Sequence, residues 1–344
     1  MAIEEFERAA LAVIAVFAAH TLSLSFLPAS APVVDTRTRR VAVAARSAKM
    51  DGSVEKAEPR AAKPKGKVAP KTVARLPGGG VDLAAYEGLG SWVDLFDRGP
   101  WKNPSYTVKK AYRRGVRTIY LQTATYGSPS HIVYPRKVAE YIASAHRRNM
   151  TVVGWSVPSF TKWRKDLKRA KAALLFETGK GERFDSFALD IEADIIKRIS
   201  TRNARLLKIS EKLRKAAGDD YPLGAIIPDT HSRYWPNFPY RKVAHLYDVM
   251  VPMGYFTFAA HGYHNVRDYT ESNIRTIRKN AGSQTPIHVI GGIADDVGVP
   301  AARGFVSAIK RHGVLGASLY DFPITSEKTW TELKRVRAPR PTRR

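Results

Sequence analysis

The chain has 344 residues, no cysteine, and 57 Lys and Arg against 31 Asp and Glu, a formal net charge of +26. Its 44% hydrophobic content supplies a core and excludes a wholly disordered chain. The missing cysteines exclude a disulfide scaffold, a thiolate metal site and a cysteine nucleophile.

In chain order, the first feature is an uncharged, mostly apolar run at 9–27. It falls within the ~17–25 residues that span a bilayer. Ala29-Ser30-Ala31 has the small-x-small form of a cleavage site, whereas Glu4, Glu5 and Glu7 before the run and Pro32 after it depart from an ordinary export signal. Residues 1–31 are therefore expected to be a signal peptide or a membrane anchor. The expected location is secreted or membrane-tethered, at the cell envelope. Residues 32–83 follow as a basic linker. The stretch AAKPKGKVAPK (61–71) has no apolar period and cannot offset the entropy of ordering it, so a disordered segment is expected. A basic tail, 336–344, closes the chain.

From residue 84 to 335 the texture changes. Short apolar runs at 90–96, 118–124, 151–157, 187–192, 223–228, 249–255, 287–293 and 316–322 read as strands. Helical stretches fall between them at 104–114, 135–148, 162–175, 200–217, 238–246, 269–281, 300–312 and 326–335. The strands are apolar nearly throughout, as in a parallel sheet covered on both faces. Eight β-then-α units predict the α/β class and a single (β/α)8 TIM barrel. A dinucleotide-binding sheet would need a glycine fingerprint after the first strand, and SWVDLFDRG has none.

In such a barrel the chemistry lies where strands end and the following loops begin. The first strand ends at Asp94 and Asp97, the second offers Gln122, the third Trp155, and the fourth Asp190 and Glu192. The fifth leads to Asp229 and His231, the sixth to Met253 and Tyr255, and the eighth to Tyr320 and Asp321. Carboxylates, an amide and rings suit a polysaccharide: acids move protons, amides and carboxylates bind hydroxyls, and rings stack on sugar faces. Asp190 and Glu192 stand two apart on one strand and so face the same way, with Ile191 facing oppositely. Each charge tends to raise the other's pKa, which would keep one acid protonated near neutrality. The alternative is that Asp190 caps the next helix and Glu192 pairs with an arginine.

FDSFALDIE (184–192) resembles the strand-four signature of glycoside hydrolase family 18, the chitinase-like barrels, Asp-Gly-x-Asp-x-Asp-x-Glu. Asp185, Asp190 and Glu192 occupy its first, third and last acidic positions, Ser186 replaces the glycine, and Ala188 replaces the second aspartate. Met253-Gly254-Tyr255 resembles that family's Met-x-Tyr-Asp, with Phe256 in place of the aspartate. ALDIE also resembles the Asp-x-Glu of family 25 lysozyme-like barrels. The resemblance implies a hydrolase of N-acetylated amino-sugar polymers, cell-wall or chitin-like, needing neither metal nor organic cofactor. Glu192 would be the general acid, and Asp190 and Tyr255 would hold the acetamido group whose oxygen acts as nucleophile. Asp94, Gln122, Trp155, Asp229, Trp235, Met253, Tyr320 and Asp321 would line the cleft. The two replaced acids also fit a catalytically inactive glycan-binding barrel.

Other features carry two readings each. In RYWPNFPY (233–240), Trp235, Phe238 and Tyr240 form either a sugar-stacking platform or a loop packed by its own aromatics. His261 and His264 would need further ligands to hold a metal and read as part of a polar loop. Gly291-Gly292 reads as a tight turn rather than a phosphate site. Of the net charge, +10 lies in residues 1–83 and 335–344 and +16 in the barrel. It fits a solvated surface or a polyanion-binding cell-surface protein, the linker and tail meeting an anionic wall polymer or membrane surface. No specific nucleic acid is expected, since no motif of that kind accompanies the charge.

Overall fold

Each of the eight apolar runs forms a strand: β1 Gly88–Val93, β2 Thr118–Thr125, β3 Thr151–Val157, β4 Ser186–Asp190, β5 Leu223–Ile227, β6 Val249–Pro252, β7 His288–Ile293 and β8 Gly316–Tyr320. The computed structural model describes residues 81–337. The expected leader or anchor at 1–31, the linker up to residue 80 and the tail from 338 lie outside the described residues. The helices are α1 Arg98–Lys102, α2 Pro104–Arg113, α3 Pro135–His146, α4 Trp163–Leu174, α5 Ile199–Ala217, α6 Tyr240–Leu246, α7 Gly262–Ala281, α8 Val299–His312 and α9 Glu327–Leu333. Among the described residues no helix is long and apolar enough to cross a membrane.

All strand pairs are parallel, in the order β6-β5-β4-β3-β2-β1-β8-β7. Two isolated parallel bridges, Met250 to Ile287 and Met253 to Ile290, join β6 to β7 and close the sheet into a (β/α)8 barrel. Alternate side chains go to opposite faces. The outer set, including Ile119, Leu121, Val152, Phe187, Leu189 and Ala225, forms one continuous apolar core with the helices. The inner set is different in kind: Trp92, Tyr120 and Trp155 pack ring on ring, Trp92 stacked on Tyr120 at 4.2 Å and edge-on to Trp155 at 5.5 Å. Below them Tyr86, from the turn before β1, plugs the barrel, its hydroxyl 2.7 Å from Ser186 Oγ. Gly224 makes room for that plug, because a Cβ there would lie 2.3 Å from the Tyr86 hydroxyl.

Helix ends follow local chemistry. Asn103 caps α2 by accepting from Tyr106 N at 3.0 Å, with Pro104 in the first turn. Gly313 ends α8 in the left-handed region, φ 54°. Among the described residues one ion pair has both side chains almost wholly buried. Arg169 on α4 is 2% exposed and lies 3.6 Å from Asp166. Asp166 Oδ2 accepts from Ser159 N, Ser159 Oγ and Phe160 N, and Arg169 donates to the Ser128 carbonyl at 2.7 Å. The pair thereby ties together the loops that follow β2 and β3.

Two expectations are corrected, and one short helix had not been expected. Helix α7 starts at Gly262, well before the predicted 269, so His264 lies on a helix and His261 at its N-cap rather than in a loop. The short α1, RGPWK, has too few residues to show a period. Gly291 and Gly292 continue β7 instead of turning. They are glycines because Phe256, Phe305, Leu319 and Thr257 press against the strand there.

Candidate active site

The fourth strand carries the central pair. Asp190 is the last residue of β4, and Ile191 N adds one further ladder bond to the Ile226 carbonyl at 2.8 Å. The extended backbone therefore runs past Asp190, directing Asp190 and Glu192 to the same side while Ile191 is buried in the outer core. Asp190 is 5% exposed and its Oδ1 has no hydrogen-bond partner. Glu192 is partly exposed. Neither forms an ion pair among the described residues, and the N-cap of α5 is Arg198. The cap-and-arginine alternative is thus not what the fold builds. Burial raises the Glu192 carboxyl to about 7. Burial, and then the Glu192 charge, holds Asp190 well above the usual carboxylate range.

Tyr255, just beyond β6, is 9% exposed. Burial raises its phenol, reinforced by the charges of Glu192, Asp190, Asp321 and Asp94 in that order. Tyr255 therefore senses both the β4 pair and a second acidic group. That second group is Asp94, Asp97 and Asp321, whose carboxylate oxygens lie within 4.8 Å of one another. Asp94 accepts from Phe96 N at 2.6 Å and from the Tyr320 hydroxyl at 2.5 Å, and Asp97 accepts from Asp94 N at 3.0 Å. All three acids are shifted upward, chiefly by burial, with mutual repulsion adding to Asp97 and Asp321. The Tyr255 and Tyr320 rings meet edge-on at 6.3 Å.

The remaining expected cleft residues divide. Gln122 is buried and uses its Oε1 to accept from Leu95 N at 2.9 Å, pinning the loop that carries Asp94. Trp155 is buried with its indole N–H unpartnered, and it pairs in register with Ala188. Met253 is buried at the β6–β7 junction. Asp229 accepts from the Tyr269 hydroxyl and lies 3.1 Å from His231 Nδ1, a rim network joining the loop after β5 to α7. Trp235 is placed otherwise than a stacking platform requires. It is 3% exposed, donates to Asn203 at 2.8 Å, and packs against Phe160 and Phe238 under the Arg202 guanidinium. Its flat faces are covered because the loop needs an apolar anchor on α5.

The neighbouring ring takes the other direction. Tyr234 is partly exposed, and its phenol is raised by burial and by Glu192, Asp190 and Tyr255. Tyr126, after β2, likewise feels Glu192. Neither was singled out from sequence, although the density of rings around Trp235 was a usable signal for Tyr234. Asp185, at the foot of β4, instead accepts from Val152 N at 2.7 Å and lies 3.0 Å from His146 Nε2, a brace distant from the mouth. A surface cavity of about 690 Å³ lies at the same lower end, beside Asp248 and Pro286, where none of these acids stands.

The burial of the β4 acids has a measurable consequence. Their carboxyls hold protons more tightly folded than unfolded, so stability falls as pH rises from the ordinary carboxylate range through about 7. Asp190→Asn removes the buried charge. It is expected to stabilise the protein by about 1–3 kcal/mol at pH 8, with the gain vanishing near pH 4. Urea unfolding at the two pH values checks this, and a destabilised variant at pH 8 would contradict it.

No protein-family model matches the chain, and no curated protein matches it by sequence. Solved structures do match in fold. The endo-β-1,4-mannanase from Thermotoga petrophila superimposes with a TM-score of 0.57 at 11% identity, covering 73% of this chain and 76% of that one. A chitinase from Bacteroides thetaiotaomicron gives 0.54 at 12% identity, covering 73% and 95%. The Bacillus cereus spore cortex-lytic enzyme SleL gives 0.54 at 8% identity, covering 72% and 74%. The barrel thus has the fold of glycan-cleaving enzymes.

Proposed function

We propose that the chain is a glycoside hydrolase acting on a polymer of N-acetylated amino sugars. The observation that carries this reading is the Asp190–Glu192 pair: two carboxyls on one strand end at the barrel mouth, one buried with an oxygen that has no partner, the other poised at about 7. A carboxyl with that pKa is half protonated near neutrality, which suits a general acid. Glu192 donates its proton to the glycosidic oxygen as the bond to the anomeric carbon breaks. The acetamido oxygen of the same sugar bonds to that carbon in its place. Asp190 accepts the acetamido N–H, and Tyr255 orients the acetamido oxygen. Water, giving a proton to Glu192, then attacks the anomeric carbon as the bond to the acetamido oxygen breaks, which restores both the acetamido group and the acid. The shared fold with a chitinase and a cortex-lytic enzyme supports this substrate class. Secretion or membrane tethering, and attachment of the basic linker and tail to an anionic wall or membrane, complete the proposal.

The purified full chain is expected to release reducing ends from chitin oligomers or peptidoglycan. Glucose and mannose polymers, which lack the assisting acetamido group, should turn over more than about 100-fold more slowly. A second reading, a non-catalytic glycan-binding barrel, is favoured by Ala188 and by Phe256. Phe256 is fully buried against Phe305 at 5.6 Å and so offers the mouth no acid where the family's aspartate would be. Glycan binding without any release of reducing ends would select it.

A further inference from the structure

The barrel's charge is uneven. Residues 98–218 hold 27 Lys and Arg against 9 Asp and Glu, whereas residues 219–334 hold 12 against 11. In the second stretch cations are paired: Glu271 lies 3.0 Å from Arg275 and 3.6 Å from Arg311, and Glu332 lies 3.0 Å from Arg303. The outer faces of α4 and α5 are different. Arg164, Lys168 and Lys171 stand at i, i+4 and i+7 on α4, and Arg205, Lys208 and Lys212 stand at i, i+3 and i+7 on α5. Each set therefore forms one stripe on a helix face. All six are exposed or partly exposed, and none forms an ion pair among the described residues. The acids of these two helices are engaged elsewhere: Asp166 is buried on Arg169, and Glu211 lines the cavity beside α6.

Trp163 marks the seam between the stripes. The Arg164 guanidinium and the Lys208 ammonium, one from each helix, both lie 4.7 Å from its ring centroid. Packed helices stand about 8–10 Å apart, roughly one screening length at physiological salt. The two stripes therefore act together on a chain laid between them, and cations across the barrel do not. Like charges held this close repel one another, and the fold sets no acid against them. A polyanion supplies the missing charge, and its kind follows from what the seam lacks. No large hydrophobic side chain of α4 or α5 is exposed to enter a bilayer. Trp163, the one aromatic residue of the two helices, already has two cations against its ring and is not free to stack on a base. Four of the six cations are lysines, point charges that suit the phosphates of a flexible chain better than planar carboxylates, which arginine forks grip.

We propose that the seam between α4 and α5 is a docking face for a linear polyol-phosphate polymer, an anionic chain of phosphodiester-linked sugar alcohols without bases. The face belongs to the barrel wall and is separate from the basic linker and tail. Because α4 starts at the mouth end of β3, Arg164 puts one end of the seam near the rim, so a docked polymer runs alongside the cleft. The docking face does not rest on the hydrolase reading.

The test is calorimetric binding of a synthetic glycerol-phosphate decamer to the full chain over a salt series centred on about 0.15 M. The triple variant Arg164→Gln, Lys168→Gln, Lys208→Gln is expected to bind at least about tenfold more weakly, and its slope of log K against log salt should flatten by about 2. The triple variant Lys279→Gln, Lys310→Gln, Lys328→Gln removes the same charge from exposed positions on α7, α8 and α9 and is expected to cost less than about threefold. Lys168→Arg with Lys208→Arg keeps the charges and should keep the affinity within about twofold. Equal losses in the two triple variants overturn the proposal, because the field of the whole molecule then does the binding. No loss in either overturns it too, because the linker and tail then do it. An oligodeoxynucleotide with the same number of phosphates that binds the seam more tightly than the decamer overturns the choice of partner, as do phosphatidylglycerol vesicles whose binding alone depends on the seam. No arm measures turnover, so failure of the hydrolase reading leaves these outcomes unchanged.

Discussion

Glu192→Gln is expected to lower kcat by about 10²–10⁴-fold while leaving substrate binding nearly unchanged. Glutamine keeps the shape and a hydrogen-bond donor but has no proton to give to the leaving oxygen. The wild-type carboxyl is held at about 7 by burial. The rate should therefore hold below pH 7 and fall above it, as the general acid loses its proton. In the variant that basic limb should disappear from whatever activity remains. Asp190→Asn alters the same limb, because Asp190 and Glu192 titrate together and removing one charge makes the other acid stronger. Reducing-end assays of both variants across pH 5–9 decide the matter. An unchanged Glu192→Gln rate, or a wild-type profile that rises steadily through pH 8, would remove Glu192 from the role.

The largest stability effect is expected at Arg169→Ala, about 3–5 kcal/mol. Arg169 and Asp166 are both almost wholly buried, so removing the cation strands a carboxylate in the interior. Asp166 cannot simply turn away. Three donors, Ser159 N, Ser159 Oγ and Phe160 N, hold its Oδ2 in place. The lost bond to the Ser128 carbonyl also releases the loop beyond β2. Combining Asp166→Asn with Arg169→Met should recover most of the loss, because neither charge then remains. Urea unfolding of Asp166→Asn, Arg169→Met and their double variant forms the cycle. A cost below about 1 kcal/mol for Arg169→Ala would mean that water reaches the pair.

The barrel was legible from sequence because its strands are buried on both faces and its helices are amphipathic, so period and spacing both register. Pro300 and Gly313 mark the two ends of α8 by backbone rules that need no tertiary information. The approach of Asp190, Tyr255 and the β1–β8 acids to one mouth followed once eight strand ends were read as a ring. Contacts set by tertiary packing did not follow. Trp235 and Tyr234 are adjacent in one ring-rich loop, yet one anchors on α5 and the other feels the acids. Which way each turns depends on Asn203 and Arg202, more than thirty residues earlier. Gly291 and Gly292 read as a turn because glycine's usual meaning is conformational. Here the meaning is steric, set by Phe256 and Phe305. The burial of Arg169 has no local signal, since its partner loops come together only when the chain is folded.

The junction of β6 and β7 sets how the mouth can adjust its width. The β3–β4 and β4–β5 pairs each run over four registered residues, whereas this junction has two isolated bridges, at Met250 and Met253. A cylinder braced in this way breathes along its least-stitched stave. Tyr255 stands immediately above that stave, while Asp190 ends a strand laced over four residues on each side. The β4 acids are thus the fixed jaw of the cleft and Tyr255 the compliant one. A bulky chain would be admitted by displacement on the Tyr255 side, with the spacing between the carboxyls left intact.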